Sequence, residues 1–284
     1  MTGNILRTMH TRPNRRRLPA TFAMLAGATL LLRGLAPAAA FAEGEPTGLE
    51  IATKADSARR AKSEHQVLTM TLENSRGQKR VRTIEGWERE ISDDEEQRFS
   101  RFKEPADVKD TTLLTYDYED KDDDIWLYLP ALKKVKRILS SNKGDYFMGS
   151  DFTYEDMENI DLVNWTYTIA GKETVDGTEC WIVDSVANTD KERGETSYNK
   201  LRYWIGTEDY LFRKIDYTDK KDRFSKQLIV SDIHPTSPTD PRKRGHMMVM
   251  KNLLTEHKTE LNLSTLELDV TVSDDFFSQR SLQP

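Results

Sequence analysis

WLYLPALKKVKRILSSNKGDYFMGSDFTYED, residues 126–156, joins an apolar strand, a basic strand, an aromatic loop and a carboxylate-rich turn in one short stretch. From Ile125 to Leu129 no polar residue interrupts the run, so both faces of that strand are apolar and each needs its own apolar partner. In Lys133–Ile138, Val135 and Arg137 share one strand face, whereas Lys134, Lys136 and Ile138 share the other. The hairpin therefore joins apolar surface to positive charge. Past Gly144, Tyr146-Phe147-Met148-Gly149 leads to Thr153-x-x-Asp156. That is a capping-box spacing with Asp in place of Glu or Gln, and it predicts a short helix beginning near Thr153.

Outward from this stretch, almost everything reads as strand. Leu49–His65 lacks Gly and Pro and predicts an N-terminal helix with a thin apolar stripe. Val67–Leu72, a turn at Ser75-Arg76-Gly77 and Arg80–Ile91 form a hairpin, and Glu96–Phe102, Thr112–Tyr118, Ile125–Leu129 and Val135–Leu139 continue as a meander. After the short helix, predicted to reach Asn159, strands resume at Trp165–Ala170, Cys180–Val186, Leu201–Ile205, Leu211–Tyr217 and Gln227–Ile233, with Asp176-Gly177 as a turn signal. Pro235–Arg244, with three prolines and no large apolar residue, predicts an exposed loop before strands near Met247–Leu254 and Leu261–Val272. About twelve strands and two or three helices result. A sheet that long must curl or split, and a curled sheet with helices over its concave side is the simplest outcome.

At the N-terminus, Arg7, Arg12, Arg15, Arg16 and Arg17 precede the uncharged run Leu18–Leu32, and Ala38–Ala42 supplies small residues for cleavage. This order reads as a secretory signal cut near Ala42, and the apolar run is short for a membrane span. Both the Sec and the twin-arginine routes remain open. Removing residues 1–42 takes six arginines and no acids, so the formal charge moves from −6 to −12. Such an acidic surface argues against nucleic acid, and the mean hydropathy of −0.70 argues against a later spanning segment. Cys180 is the only cysteine, so no internal disulfide is expected, and residues 43–284 suffice for one domain.

The run W-L-Y-L-P-A-L-K-K-V-K-R-I followed by F-M-G-S-D-F-T-Y-E-D resembles the bacterial outer membrane lipoprotein-sorting protein family, relatives of the LolA/LolB-like periplasmic carriers. Further matches are Arg101-Phe102-x-x-Pro105-x-Asp107-Val108-Lys109, Tyr198-x-Lys200 and Tyr203-Trp204-Ile205, so the resemblance spans roughly Val67 to Val230. It implies a mainly β (α+β) fold: an incompletely closed antiparallel β-barrel, with an N-terminal helix and short helices covering the concave face, that carries something lipidic. Association with an RND-type inner-membrane exporter is implied in the same way. No catalytic residues are carried over, and no position matches the lid-latching arginine of the lipoprotein chaperones.

Ile125–Leu129 and Cys180–Val183 are apolar on both faces, so something must cover the second face. A single aromatic is ordinarily a packing residue. Trp126, Tyr128, Trp165, Tyr167, Trp181 and Trp204 together, in a chain with little helix for cover, point instead to a lined cavity. Tyr146, Phe147, Met148 and Phe152 belong to an aromatic loop at its mouth, which is either a gate hinged at Gly144 and Gly149 or a rigid plug. Lys133, Lys134, Lys136 and Arg137 are either a site for a phosphate headgroup or acidic partner, or charges that keep an edge strand soluble. Arg137 is expected to pair with Asp151, Glu155 or Asp156.

Chemistry is sparse. Gly149-Ser150-Asp151 lacks the second glycine of a nucleophile elbow, phosphate-binding glycine loops are missing, and His65, His234, His246 and His257 are not spaced as zinc ligands. Neither metal nor cofactor is expected. The leading reading is a non-enzymatic monomeric periplasmic carrier for a lipid or lipid-modified molecule, acting between membrane components. Its rival is an accessory subunit of an envelope complex, with a solid core and the basic hairpin as docking surface.

Overall fold

Alternating patterns along the chain become thirteen strands of one antiparallel sheet, seen here in a computed structural model that describes residues 44–92, 95–118, 121–159 and 162–284. The expected signal sequence, residues 1–42, lies outside the described residues. After helix α1 (Gly48–Arg59) come β1 (Ser63–Glu73), β2 (Lys79–Ser92), β3 (Glu95–Glu104), β4 (Thr112–Asp117), β5 (Asp124–Leu129) and β6 (Lys134–Ile138). Then follow β7 (Trp165–Val175), β8 (Thr178–Ala187), α2 (Asp190–Glu195), β9 (Tyr198–Gly206), β10 (Phe212–Asp219), β11 (Phe224–Ser237), β12 (Asp240–Asn252) and β13 (His257–Leu268).

Two meanders, β1 to β6 and β7 to β13, are zipped together along β1 and β13, where Leu68 faces Leu263 and Leu72 faces Thr259. The free edges are β6 and β7, which follow each other in the chain. The sheet is therefore an open half-barrel, as expected. Its seam is crossed by the segment between Ile138 and Trp165, the longest connection between successive strands.

Helix α1 opens with a full capping box: the Thr47 amide donates to Glu50 Oε2 at 2.6 Å and the Glu50 amide donates to Thr47 Oγ1 at 3.2 Å. It ends at Arg59, six residues before the predicted His65. From Ser63 onward the backbone pairs with β2 and β13 on either side, and two ladders outweigh the helical preference of a short polar segment. The Asp176-Gly177 turn forms as read, both residues having positive φ (47° and 77°), which is the geometry a two-residue hairpin turn requires.

Pro235–Arg244 is not a loop. Its residues form the tip of the β11–β12 hairpin, with His234 opposite Arg244 and Pro235 opposite Lys243. Neither strand has a second neighbour there: β10 pairs only as far as Ile229 and β13 only from Met247. A proline lacking an N–H is tolerated where no second ladder demands one. Arg244 is also buried, and its guanidinium donates to the Ala58 and Arg59 carbonyls at 3.2 and 2.7 Å, capping the C-terminus of α1.

Candidate functional site

Strand alternation sorts the aromatic residues onto two faces of the sheet. On the outer face of the first meander, Phe99, Leu114 and Tyr128 pack with Phe277 and Leu282, and Trp126 and Trp87 pack against that cluster. The cover is the chain's C-terminal end, two 3-10 turns at Asp274–Phe277 and Gln279–Leu282, held by Arg101 donating to the Ser281 carbonyl at 2.5 Å and by Tyr116 donating to the Phe277 carbonyl. Trp126 and Tyr128 thus face away from any inner cavity. Trp204 also lies on the outer face, where its indole N–H donates to Glu173 at 2.6 Å and Lys214 sits 3.5 Å from its ring centroid. The second apolar partner of Ile125–Leu129 is therefore a piece of this chain.

On the inner face the seam-crossing segment enters the half-barrel. Phe147 and Tyr154 pack among Met70, Ile84, Phe102, Leu113, Ile125 and Leu127, with Met148 at the edge of that cluster, and Phe152 joins a second cluster under α1. The Thr153-x-x-Asp156 pattern closes in both directions: the Thr153 amide donates to Asp156 at 2.7 Å and the Asp156 amide donates to Thr153 Oγ1 at 3.2 Å. The segment it encloses is a 3-10 turn, Glu155–Met157, and not a helix, and Asp156 makes further contacts. Lys226 lies 2.5 Å from its carboxylate and Tyr198 donates to it at 2.7 Å, both members of the ion pair being nearly fully buried.

Further ties pin this segment: Arg82 to the Met148 carbonyl at 2.7 Å, Thr259 to Asp151 at 2.8 Å and Asn252 to the Tyr146 hydroxyl at 3.0 Å. The geometry is that of a plug. Gly149 has φ of +73°, a left-handed conformation that favours glycine, and Gly144 packs against Ser197. Arg137, contrary to expectation, pairs with Asp124 on the neighbouring strand, since Asp151 and Asp156 are bound by the plug network and Glu155 accepts from Thr196 and Ser197. Lys133, Lys134, Lys136 and Arg137 are exposed on the edge strand and none lines the cavity described next.

Beside the plug lies a cavity of about 1030 Å³. Helix α1 is its roof, and Gly48 sets the roof's height: a Cβ there would stand 2.5 Å from the Tyr167 carbonyl oxygen, so only glycine lets α1 lie on β7. The wall on the β9–β13 side is apolar, built by Leu201, Tyr203, Ile205, Ile215, Tyr217 and Leu228, with Phe152, Trp165 and Tyr167 completing it. Trp181 belongs to the same cluster but is not among the lining residues; Lys172 lies over its ring. Tyr146 is half exposed and is not among the lining residues.

The floor on the β1–β4 side is charged. Glu64 and Glu88 face each other across β1 and β2, Arg98 follows on β3, and Glu96 faces Asp117 across β3 and β4, with Asp123 and Glu158 nearby. Burial, reinforced by Glu96, pushes the Glu88 carboxyl up to about 8; burial, reinforced by Asp123, lifts Asp117 to about 7; and burial lifts Glu158 to about 8. Part of this charge is balanced, by Arg98 at 3.5 Å from Asp117 and by Lys143 at 3.7 Å from Glu158. Among the described residues no group of three or more His, Cys, Asp or Glu is arranged to hold a metal ion.

Sequence reasoning did not single out this floor, nor Tyr198 and Tyr217 of the wall. The signal exists in β1, whose inward positions run Leu72, Met70, Leu68, Gln66, Glu64: apolar beneath the plug and polar beneath the cavity. No helix among the described residues is long and apolar enough to cross a membrane.

A family model described as "Uncharacterized protein" matches residues 94–284. No curated protein matches the chain. Among solved structures, a putative outer membrane lipoprotein-sorting protein domain from Vibrio parahaemolyticus shares 29% identity, covers 83% of this chain and 97% of its own, and superposes with a TM-score of 0.76. A DUF1329 family protein from Desulfovibrio piger shares 30% identity over 83% of this chain and 98% of its own, again with a TM-score of 0.76. A LolA superfamily protein from Nitrosomonas europaea, 14% identical, covers 84% of this chain and all of its own with a TM-score of 0.64, a likeness of fold.

Proposed function

The chain belongs to the DUF1329 family of LolA-like proteins, and from that membership we propose that it is a periplasmic carrier that takes a lipid or lipid-modified molecule into the cavity under α1. The observation that carries this reading is the cavity itself: about 1030 Å³, apolar on one side and charged on the other. That size is at the upper limit of roughly 300–1,000 Å³ for small-molecule sites. Each buried methylene contributes about 0.8 kcal/mol, so a sixteen-carbon chain gains on the order of 12 kcal/mol before ordering costs. Such a ligand leaves a sealed pocket slowly, and the open seam between β6 and β7 offers it a side-on path.

The charged floor then receives the polar end of the cargo, which is one of the two roles open to Lys133, Lys134, Lys136 and Arg137 on sequence grounds. Those four keep the edge strand β6 soluble and are available to an acidic partner. Delivery to or from an RND-type inner-membrane exporter, a monomeric state, one carrier domain from residue 43 onward and export with cleavage near Ala42 complete the proposal. The activity proposed is transfer without bond chemistry. Native mass spectrometry of the purified protein tests the reading. A carrier copurifies with apolar ligand or takes up a fluorescent lipid probe at one equivalent; a protein that does neither is a scaffold.

A further inference from the structure

Three neighbouring turns at one end of the sheet carry exposed apolar side chains among lysines and arginines. They join β12 to β13 (253–256), β10 to β11 (220–223) and β1 to β2 (74–78). The Leu253 amide donates to the Ser225 carbonyl at 2.9 Å, next to Phe224, and Glu73 at the end of β1 lies 3.1 Å from Lys258, so the three turns stand side by side. Phe224, Leu253 and Leu254 are 47%, 43% and 46% exposed. Asn252, itself buried, holds this surface in shape. Its side-chain oxygen accepts from the Leu254 and Thr255 amides at 3.1 and 3.2 Å, and its side-chain nitrogen donates to the hydroxyl of Tyr146, half exposed on the plug.

A single exposed leucine needs no explanation. Here two occupy successive positions of a hairpin turn, where Asn, Asp, Gly and Ser suit the backbone better, and a phenylalanine stands beside them. The turn does not depend on them, because Asn252 closes it and Glu256 takes its left-handed position with φ of +57°. Charge points to what meets these side chains. In residues 73–80, 219–224 and 251–258, eight Lys and Arg stand with four Asp and Glu, in a chain of formal charge −6. Glu73 is taken up by Lys79 and Lys258, and Asp219 by Arg223, so exposed Lys220, Lys221 and Lys251 give the surface a positive sign. A protein partner would need a pocket for each side chain that projects from these turn tips. An anionic bilayer needs none: its interface takes apolar side chains wherever they project, and its phosphates meet the cations.

We propose that this end of the sheet docks onto an anionic bilayer surface, with Phe224, Leu253 and Leu254 entering the headgroup region and Lys220, Lys221 and Lys251 facing lipid phosphates. Tyr146, tied to Asn252, then meets the bilayer as well, which sets the seam-crossing segment against the membrane. The inference goes beyond the carrier reading and stands without it, since docking needs no cargo.

The test is flotation of the purified protein with vesicles of phosphatidylcholine containing about one-third phosphatidylglycerol, and with vesicles of phosphatidylcholine alone. The wild type floats with the anionic vesicles, binds the neutral ones about tenfold or more weakly, and is released by high salt. Leu253→Ser with Leu254→Ser weakens anionic binding about 5- to 10-fold, and Lys220→Ala with Lys221→Ala about 5- to 20-fold. Ile91→Ser, an exposed apolar residue at the opposite end of β2, changes it less than about twofold. All these side chains stand in solvent, so each variant melts within about 2 °C of the wild type. Insertion is read separately on Leu254→Cys, labelled with an environment-sensitive dye while the buried Cys180 stays unlabelled: the dye brightens on anionic vesicles. Equal flotation with both kinds of vesicle, a dye that stays dark while the protein floats, or a leucine-pair variant that floats like the wild type overturns the inference. A wild type that takes up a soluble fluorescent lipid yet ignores vesicles keeps the carrier reading, overturns docking on a bilayer and assigns the surface to a protein partner.

Discussion

The inner face beneath the plug and the inner face beneath α1 belong to one sheet and each carries an apolar cluster, yet one is filled and the other borders a hollow. Under β1–β6, Phe147 and Tyr154 descend from the seam-crossing segment and meet Phe102, Ile84 and Leu127. Under β9–β13, α1 rests on β7 and spans the gap, contributing Ile51 and Ala55 but no aromatic side chain. The difference teaches that emptiness here depends on the size of the covering residues: aromatic side chains from a plug fill their half, whereas a helix presenting one isoleucine and two alanines roofs a space it cannot fill.

Breaking the plug has the largest expected effect. Asp156→Ala leaves Lys226 as an uncompensated buried charge between the Tyr198 and Tyr217 rings and costs about 3–5 kcal/mol, read as a fall in the urea midpoint with unchanged slope. An exposed pair such as Lys191 with Asp122 serves as the control, and its loss costs less than about 1 kcal/mol.

A second comparison adds bulk to each half. Leu127→Trp, in the filled half, forces neighbours off their rotamers and costs about 1–3 kcal/mol. Leu228→Trp, on the cavity wall, has space to occupy and costs less than about 1 kcal/mol, but it abolishes uptake of a fluorescent lipid. If the two substitutions prove equally destabilising, the hollow half is in fact closed.

The charged floor gives the third. Glu88, Asp117 and Glu158 hold their protons more tightly folded than unfolded, so between their ordinary and raised pKa values the folded state carries the extra protons. Their stabilisation is complete below the ordinary carboxylate range and is lost as pH rises through about 7 to 8, so the melting temperature falls between about pH 5 and 8.5. Glu88→Gln flattens that slope and raises stability at the alkaline end by about 1–2 kcal/mol, measured by thermal melts across the series. The smallest effect belongs to the edge. Lys134→Ala with Lys136→Ala shifts stability by no more than about 0.5 kcal/mol and leaves lipid uptake unchanged, because both side chains stand in solvent.

Alternation of apolar residues showed where strands run, and the resemblance carried by residues 126–156 pointed to an open half-barrel. Neither could tell inside from outside at Trp126, Tyr128 or Trp204. An apolar outer position reads the same whether a ligand or the chain's own Phe277 and Leu282 will cover it, and those two residues are more than a hundred positions away. Proline count misled at Pro235–Arg244 for a related reason: proline excludes a strand only where two neighbours demand its N–H, and how many neighbours a strand has is a property of the sheet.

What the chain by itself determined is local. The capping boxes at Thr47 and Thr153, the Asp176-Gly177 turn and the two-residue period follow from hydrogen bonds within a few residues, and those reach their partners wherever the segment ends up. What only the tertiary structure decided is which surfaces meet: the plug's ion pair with Lys226, the Arg244 cap on α1, the carboxylates gathered beneath the cavity and the hollow itself. Each depends on the zipping of β1 to β13, which joins the chain's first and last strands, and a contact at that separation leaves no periodic trace in the residues that make it.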